Sequence, residues 1–477
     1  MLDKAYATKD DLANIDGKSA YEQAVDGGYT GTEAEFKQAL ADINNYAKSE
    51  DVPTTAELKK IKADNILHST GNKFCIGENK VASFEDSYYD EDTKTLYYAS
   101  NHPSLNSWGL IAIDYSDIEN PTIKGFNDLN NSSLELKSGS PVVRGIAKYD
   151  KYLYIGIRST SPNIPSDGMD NESTWGALVI VDTTDYSVVD TIKLNAKVTG
   201  VIIHEATNGK VYLVLSCQMS YIRFYTIDKT NPTSLTLEDT QYHSNYSKVS
   251  GWTDYNSIIT ETQRGRIVEA DNKILCVMAG FGDGVHIWDI TNVSATNEVR
   301  ATLYNWNSWS HKDIWFIDGT SAYHTFDLEV VYPYVYATLG AKLETAQADY
   351  TNGTNNRRMG LLTLDISNLA NIQATIQQID VADMNDFLGG DPRPTFIKRF
   401  ANKLFLNNGT KGIAIYDISN LALPQYVATK EIPDFMSCGG LCVTEGGKLI
   451  CGDAPEVQTS TSEGYKAKKY IKLFNIM

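Results

Sequence analysis

The sequence predicts an all-β chain, a seven-bladed β-propeller with a small α-helical segment in front of it. Three observations predict it. A short apolar phrase ending in aspartate recurs along the chain. A second apolar strand precedes each copy. Gly, Asn, Asp and Pro clusters separate the runs from about residue 72 onward.

The phrase reads Gly109–Asp114, Gly176–Asp182, Tyr221–Asp228, Gly284–Asp289, Gly360–Asp365 and Gly412–Asp417, with a degenerate seventh copy from Tyr470 to Ile476 that carries Asn475. From Asp114 to Asp417 the aspartate advances in five steps, a mean period of about 61 residues. A β repeat of that length points to a propeller before a solenoid. The apolar run is a strand covered on both faces, hence its weak alternation. The aspartate closes an Asx-type turn by accepting from the next backbone N–H groups, a structural role.

The remaining strands follow from their neighbours. The preceding strand appears at 95–99, 152–155, 211–214, 274–277, 334–337, 404–406 and 449–451. Tight turns such as Asp150-Lys151, Asn208-Gly209-Lys210, Asp271-Asn272-Lys273 and Gly446-Gly447-Lys448 introduce it. An inner strand comes before that turn (Ile146–Lys148, Phe396–Lys398), and a fourth follows the aspartate (Val188–Ile192, Tyr426–Ala428). The last blade ends on its third strand at Met477 and leaves an edge. Residues 72–76 are expected to supply the missing outer strand.

Residues 1–70 read as a separate helical segment and 71–477 as the propeller. Ser19–Val25 is a short helix stopped at Asp26-Gly27-Gly28. A second runs from Glu33 to about Tyr46, with Phe36, Leu40 and Ile43 on one stripe, and a third from Thr55 to about Ile66. So little apolar surface does not hold three helices together alone, so the segment is expected to dock or oligomerise.

Composition excludes several functions. The 477 residues are 42% hydrophobic and 21% charged, and 42 Lys+Arg against 60 Asp+Glu leave a net charge of −18. That balance does not favour a nucleic-acid partner. No stretch nears 18 apolar residues, so membrane insertion is not expected. The start, Met1–Tyr6, lacks a basic end followed by an apolar run, so no secretory signal is read. Of six cysteines, Cys217, Cys276 and Cys451 sit in apolar runs as buried thiols. Cys438 and Cys442 have no second pair to complete a zinc site. The chain is expected to fold in a reducing cytoplasm.

Catalytic signatures are missing: no Gly-x-Ser-x-Gly, no His-Glu-x-x-His, no phosphate loop with its lysine. Gly280–Gly284 is a turn between strands, and acidic pairs such as Glu85-Asp86 assign no acid/base couple. No catalytic residue, metal site or cofactor is expected; His204, His286, His311 and His324 lack ligand spacing. Two constellations remain as candidate ligand sites. Arg144, Arg264, His324 and Arg393 fall near the starts of inner strands, which gather at one mouth of the channel. There they either hold an anion or acidic sugar or pair with a carboxylate or carbonyl of a neighbouring blade. Tryptophans 108, 175, 252, 306 and 309 lie in inter-strand loops, and the run Tyr304–His311 places Trp306, Trp309 and His311 together. Such rings contact glycans or fold back into the protein.

Two resemblances add to this. The repeat phrase resembles the LVIVD-repeat proteins, a propeller family. Gly17–Glu22 followed by Gly28–Phe36 looks like a short module of bacteriophage tail fibres and related virion appendages, and Tyr6–Leu12 is similar to the start of many such proteins. The second resemblance implies a bacteriophage virion protein (tail or head fibre) made in the host cytoplasm. Tyr21, Tyr29, Phe36 and Leu40 would then serve attachment to other virion proteins, residues 1–70 would assemble a homotrimer, and the propeller would bind a host-surface glycan or protein. The alternatives are a polysaccharide lyase or hydrolase at the channel mouth and a purely structural virion decoration protein.

Overall fold

A computed structural model describes residues 22, 25, 30–38, 55–79, 86–102, 107–127, 129, 134–136, 141–159, 174–217, 221–242, 261–281, 284–295, 297–298, 323–341, 360–370, 372–378, 396–407, 412–432, 440–457 and 467–477. Among them the strands form seven antiparallel sheets in a ring, each led by an inner strand. Blade 1 is Ser87–Asp90, Thr95–His102, Ser107–Asp114 and Thr122–Asn127; blade 2 is Pro141–Tyr149, Tyr152–Ser159, Gly176–Asp182 and Val188–Leu194. Blade 3 is Val198–Glu205, Val211–Cys217, Tyr221–Asp228 and Asn231–Tyr242; blade 4 is Glu261–Ala270, Lys273–Phe281, Gly284–Asp289 and Asn297–Glu298. Blade 5 has a broken inner strand, Tyr323–His324 and Leu328–Val331, then Tyr334–Ala341, Gly360–Asp365 and Gln373–Gln378. Blade 6 is Ile397–Phe400, Lys403–Asn407, Ile413–Asp417 and Gln425–Lys430. Blade 7 is Leu441–Val443, Lys448–Val457 and Ala467–Ile476, completed by Leu67–Asn79 from the other end of the chain.

The near-continuous apolar phrases are strands buried on both faces. All seven residues of Gly176–Asp182 and of Val211–Cys217 are buried. Their period of two still operates, but each parity meets a different blade. Ala177, Val179 and Val181 pack with Leu153, Ile155, Tyr97 and Leu110 between blades 1 and 2. Leu178 and Ile180 pack with Tyr154, Val211, Leu213 and Leu215 between blades 2 and 3. Each such side chain contributes about 1.5–3 kcal/mol on burial.

The aspartate turn repeats as expected. Asp114, Asp182, Asp228, Asp289, Asp365 and Asp417 each accept from the backbone N–H two residues on, at 2.7–3.1 Å. A lysine at the start of the second strand adds an ion pair, at 2.7 Å for Lys151–Asp182 and 2.8 Å for Lys403–Asp417. The residue after the aspartate donates its N–H back to the turn before the second strand, as Ile418 does to Asn402 and Ile366 to Pro333. Asp271 and Asn272 both hold positive φ in that turn, the geometry of a tight hairpin.

Residues 72–76 do supply the outer strand of blade 7, with Phe74 opposite Ile471 and Cys75 opposite Tyr470. The strand is longer than expected. It begins at Leu67, opposite Ile476, directly after helix α1 (Thr55–Ile66). Met477 N–H donates to the Ile66 carbonyl and the Thr70 hydroxyl to that of Leu473. The chain divides into two compact units, Met1–Leu58 and Lys59–Met477, so residue 70 falls inside a blade. Composition hides this because one helix face is enough to dock: Ala63 and Leu67 are buried in the cluster of Phe405, Ile415, Leu449 and Phe474.

In the first unit residues 33–38 are helical. Thr32 and Glu35 form a capping box, with Glu35 N–H donating to the Thr32 hydroxyl and the Glu35 carboxylate accepting from Thr32 N–H at 2.6 Å. Phe36 is half-buried there. Tyr21, Tyr29 and Leu40 lie outside the described residues, as does the rest of the helix expected to Tyr46.

Candidate functional site

The inner strands bring charged side chains to the channel, and these engage one another. Arg264 on blade 4 reaches Asp86, just before blade 1, at 3.5 Å. Those blades stand three apart in the ring, so the pair crosses the channel. The Arg264 guanidinium also stacks 4.1 Å from the Phe396 ring centroid at blade 6. Arg266 pairs with Glu329 at 2.7 Å and with Asp327 at 3.6 Å, and Lys398 reaches Asp327 at 3.4 Å. Backbone donors complete the set: Ile146 and Ser87 to Asp86, Leu328 and Ile397 to Asp327. Three cations therefore meet three carboxylates, and five blades are tied together at the axis.

A local break in blade 5 places Asp327. Between the two pieces of the inner strand, the Thr338 hydroxyl accepts from the N–H groups of Phe326 and Asp327. Thr325 bonds the Gly280 backbone of blade 4 through both its N–H and its carbonyl. The two carboxyls are shifted in opposite senses. Burial pushes Asp86 up against the pull of Arg264 and Lys398, and the charge of Asp327 adds to the rise. Burial also opposes ionisation of Asp327, but Lys398, Arg266 and Arg264 outweigh it and hold this carboxyl below its ordinary value. Opposed shifts often mark an acid/base couple. Here the Asp327 side chain has 0% exposure, and its ion pairs brace the blades.

Among the sequence-derived candidates, Arg264 is engaged with the carboxylate of another blade. Arg144 is half-buried on the inner strand of blade 2, where the pairing shifts between Val143 and Gly145. His324 pairs through its backbone with Gly340. Its side chain, Arg393, Trp306, Trp309 and His311 lie outside the described residues, as do Trp252 and the side chain of Trp108. Trp175 is buried. Cys217, Cys276, Cys442 and Cys451 are free buried thiols; burial pushes Cys442 up to about 11 and Cys217 to about 12. Cys438 is outside the described residues. Among the described residues no His, Cys, Asp and Glu group could hold a metal, and no helix is long and apolar enough to cross a membrane.

Sequence reading passed over Asp86, Arg266, Asp327 and Lys398. The signal was present but weak: charged residues at or near the starts of inner strands, as Arg264 is.

The two faces of the ring differ. Connections within blades that lead from first to second and from third to fourth strand leave at one face and span seven residues at most, as at 115–121 and 418–424. Connections from second to third strand and from blade to blade all leave at the other face. There the strand ends are bridged by segments such as 160–175, 243–260, 299–322, 342–359 and 379–396. Trp252, Trp306 and Trp309 belong to those segments.

No family profile matches the chain, and no curated protein matches it in sequence. Among solved structures it is similar to the Cps50 (Swd1) β-propeller domain of Myceliophteria thermophila, at 10% identity over 85% of this chain and 100% of that one, TM-score 0.46. It is also similar to the Pan2 WD40 domain of Neurospora crassa, at 8% identity over 85% and 95%, TM-score 0.47. A computationally designed protein, Ika8, matches at 9% identity over 84% and 98%, TM-score 0.40. The fold itself rests on the strand order of the seven sheets.

Proposed function

We propose that the protein is a bacteriophage virion appendage whose N-terminal segment attaches to the particle and assembles a homotrimer, and whose propeller binds a host-surface ligand, glycan included. The observation that carries the binding role is the asymmetry of the ring. Every long connection leaves from one face, while the other consists of short, internally bonded turns. Binding residues concentrate on loops held by a rigid scaffold, and the tryptophan-bearing segments 243–260 and 299–322 belong to that face. Resemblance of residues 17–36 to a tail-fibre module supports the virion setting. The channel supports binding over turnover, because its carboxylates are spent on bracing blades.

The test is adsorption. Fluorescently labelled full-length protein should bind host cells, and Trp306→Ala/Trp309→Ala should reduce that binding about ten-fold while far-ultraviolet circular dichroism stays unchanged. Immunogold labelling of purified particles should decorate the appendage, and sedimentation should give three times the chain mass. Unlabelled particles would refute the virion setting; wild-type protein that ignores host cells would refute the receptor role.

A further inference from the structure

One strand is the covalent link from the N-terminal unit into the ring. Met1–Leu58 leads through helix α1 into the closing strand of blade 7, Leu67–Asn79. That strand starts at the short-turn end, where Leu67 lies opposite Ile476, and finishes at the loop-bearing end, where Asn79 lies opposite Ala467. Ile476 N–H donates to Gly447 in the turn before the second strand of blade 7, which fixes this end of the pairing on the short-turn face. From Asn79 the chain crosses 80–86 at the loop-bearing face into the inner strand of blade 1.

This pairing meets two directions of load differently. Hydrogen bonds between antiparallel strands lie perpendicular to the strands. A pull that draws Leu67 away from the loop-bearing face runs along the strand. It shears the pairing from Leu67 to Asn79 at once, and the bonds share the load. A pull that separates Leu67 from Ile476 runs across the strands at one end. It breaks the pairs in succession, and each bears the full load in turn. Ile66 and Met477 meet at that end, with the Met477 N–H donating to the Ile66 carbonyl. Other contacts secure the strand along its length. Helix α1 is docked beside it by the Lys430–Asp64 ion pair and by buried Ala63 and Leu67. Where residues 70–72 bulge opposite Leu473, the Thr70 hydroxyl donates to the Leu473 carbonyl and keeps both halves of the strand on the sheet.

We propose that the closing strand is a directional tether. It holds when the N-terminal segment is drawn away from the loop-bearing face, and it peels when that segment is drawn away from the last strand. Its use rests on the reading that the segment attaches to a particle and the loop-bearing face to a host, because load then enters at those two places and runs in the strong direction.

The experiment is single-molecule force spectroscopy on the full-length protein, with handles at two pairs of exposed positions. Leu58 with Lys193, at the loop-bearing end of blade 2, loads the strand lengthwise. Leu58 with Met477 loads it crosswise. Glu135, exposed in the connection from blade 1 to blade 2, replaces Lys193 where that handle prevents folding. Both pulls pass through α1, so a difference between them belongs to the closing strand. Forced unfolding reads the barrier to separation, and the lengthwise pull should need at least about two-fold the force of the crosswise pull at the same loading rate. The first crosswise step should lengthen the chain by about 100 Å, the reach of residues 59–86 at about 3.6 Å each. Equal forces in the two pulls would overturn the proposal, as would a first crosswise step that frees another segment. Host-cell adsorption separates the two readings. Equal forces with normal adsorption would sink the tether and leave the receptor role, whereas the expected force ratio without adsorption would sink the receptor role and keep the tether.

Discussion

The two faces of the ring show how one repeat serves two purposes. On the short-turn face the same local devices recur: in six blades an aspartate accepts from the backbone two residues on, in blades 2, 4 and 6 a lysine pairs with it, and in all blades but the fifth the turn before the second strand holds a positive φ. On the loop-bearing face the connections vary from the two residues of 282–283 to the 24 of 299–322. A scaffold tolerates that variation because loop closure entropy grows slowly with length. The lesson is that regularity on one face releases the other for recognition.

Four measurements test that contrast. The largest effect concerns ring closure, which begins at the short-turn face where Leu67 opposes Ile476. Deleting residues 1–58 should leave the thermal midpoint of the ring within a few degrees. Deleting through residue 79 removes the outer strand of blade 7 and buried Leu67 and should abolish cooperative unfolding; equal melting curves would break the assignment.

Next comes the axis that both faces share. Asp327→Ala takes from Lys398 its carboxylate and leaves Arg266 with Glu329 alone, and should destabilise by about 3–5 kcal/mol in urea titration. A loss below about 1 kcal/mol would show that the brace is not structural.

The aspartate turns come third. Lys151 and Thr184 outweigh burial and hold the Asp182 carboxyl at about 2. A depressed carboxyl contributes stability that is full above its ordinary value near 3.9 and is lost as pH falls through about 2. Asp182→Asn should therefore cost about 1–2 kcal/mol at pH 7 and flatten the fall in stability below pH 4. An unchanged acid limb would remove this turn from the account.

The smallest effect sharpens the short-turn rule. Ala401 holds φ of 49° in the turn before the second strand of blade 6, where a β-carbon is strained. Ala401→Gly should stabilise by about 0.5–1 kcal/mol, read as a rise in the urea midpoint.

Much of this was legible in residue order. The six aspartate turns depend on atoms two residues apart, so Asp182 and Thr184 announce themselves in any reading of the chain. The closing strand was legible too, because an unfinished last blade needs an edge partner and residues 72–76 had the pattern. The start of that strand at Leu67 was not, since only docking of Ala63 and Leu67 on Phe405 and Leu449 separates a ring element from a free helix. Arg264 was singled out as a cation near the axis, yet its partner Asp86 lies 178 residues earlier, in an acidic pair that looks like any other.

The sequence by itself determined the number of blades, the order of strands within each, and the turn that ends the third strand. Those follow from periodicity and from hydrogen bonds between near neighbours, which leave a local trace. Only the tertiary structure decided which groups the buried cations meet. Arg264 meets a carboxylate from across the ring, whereas Arg223 meets the amide of Asn195. Charge pairing depends on distance in space and on burial, and neither is written in the spacing of residues along the chain.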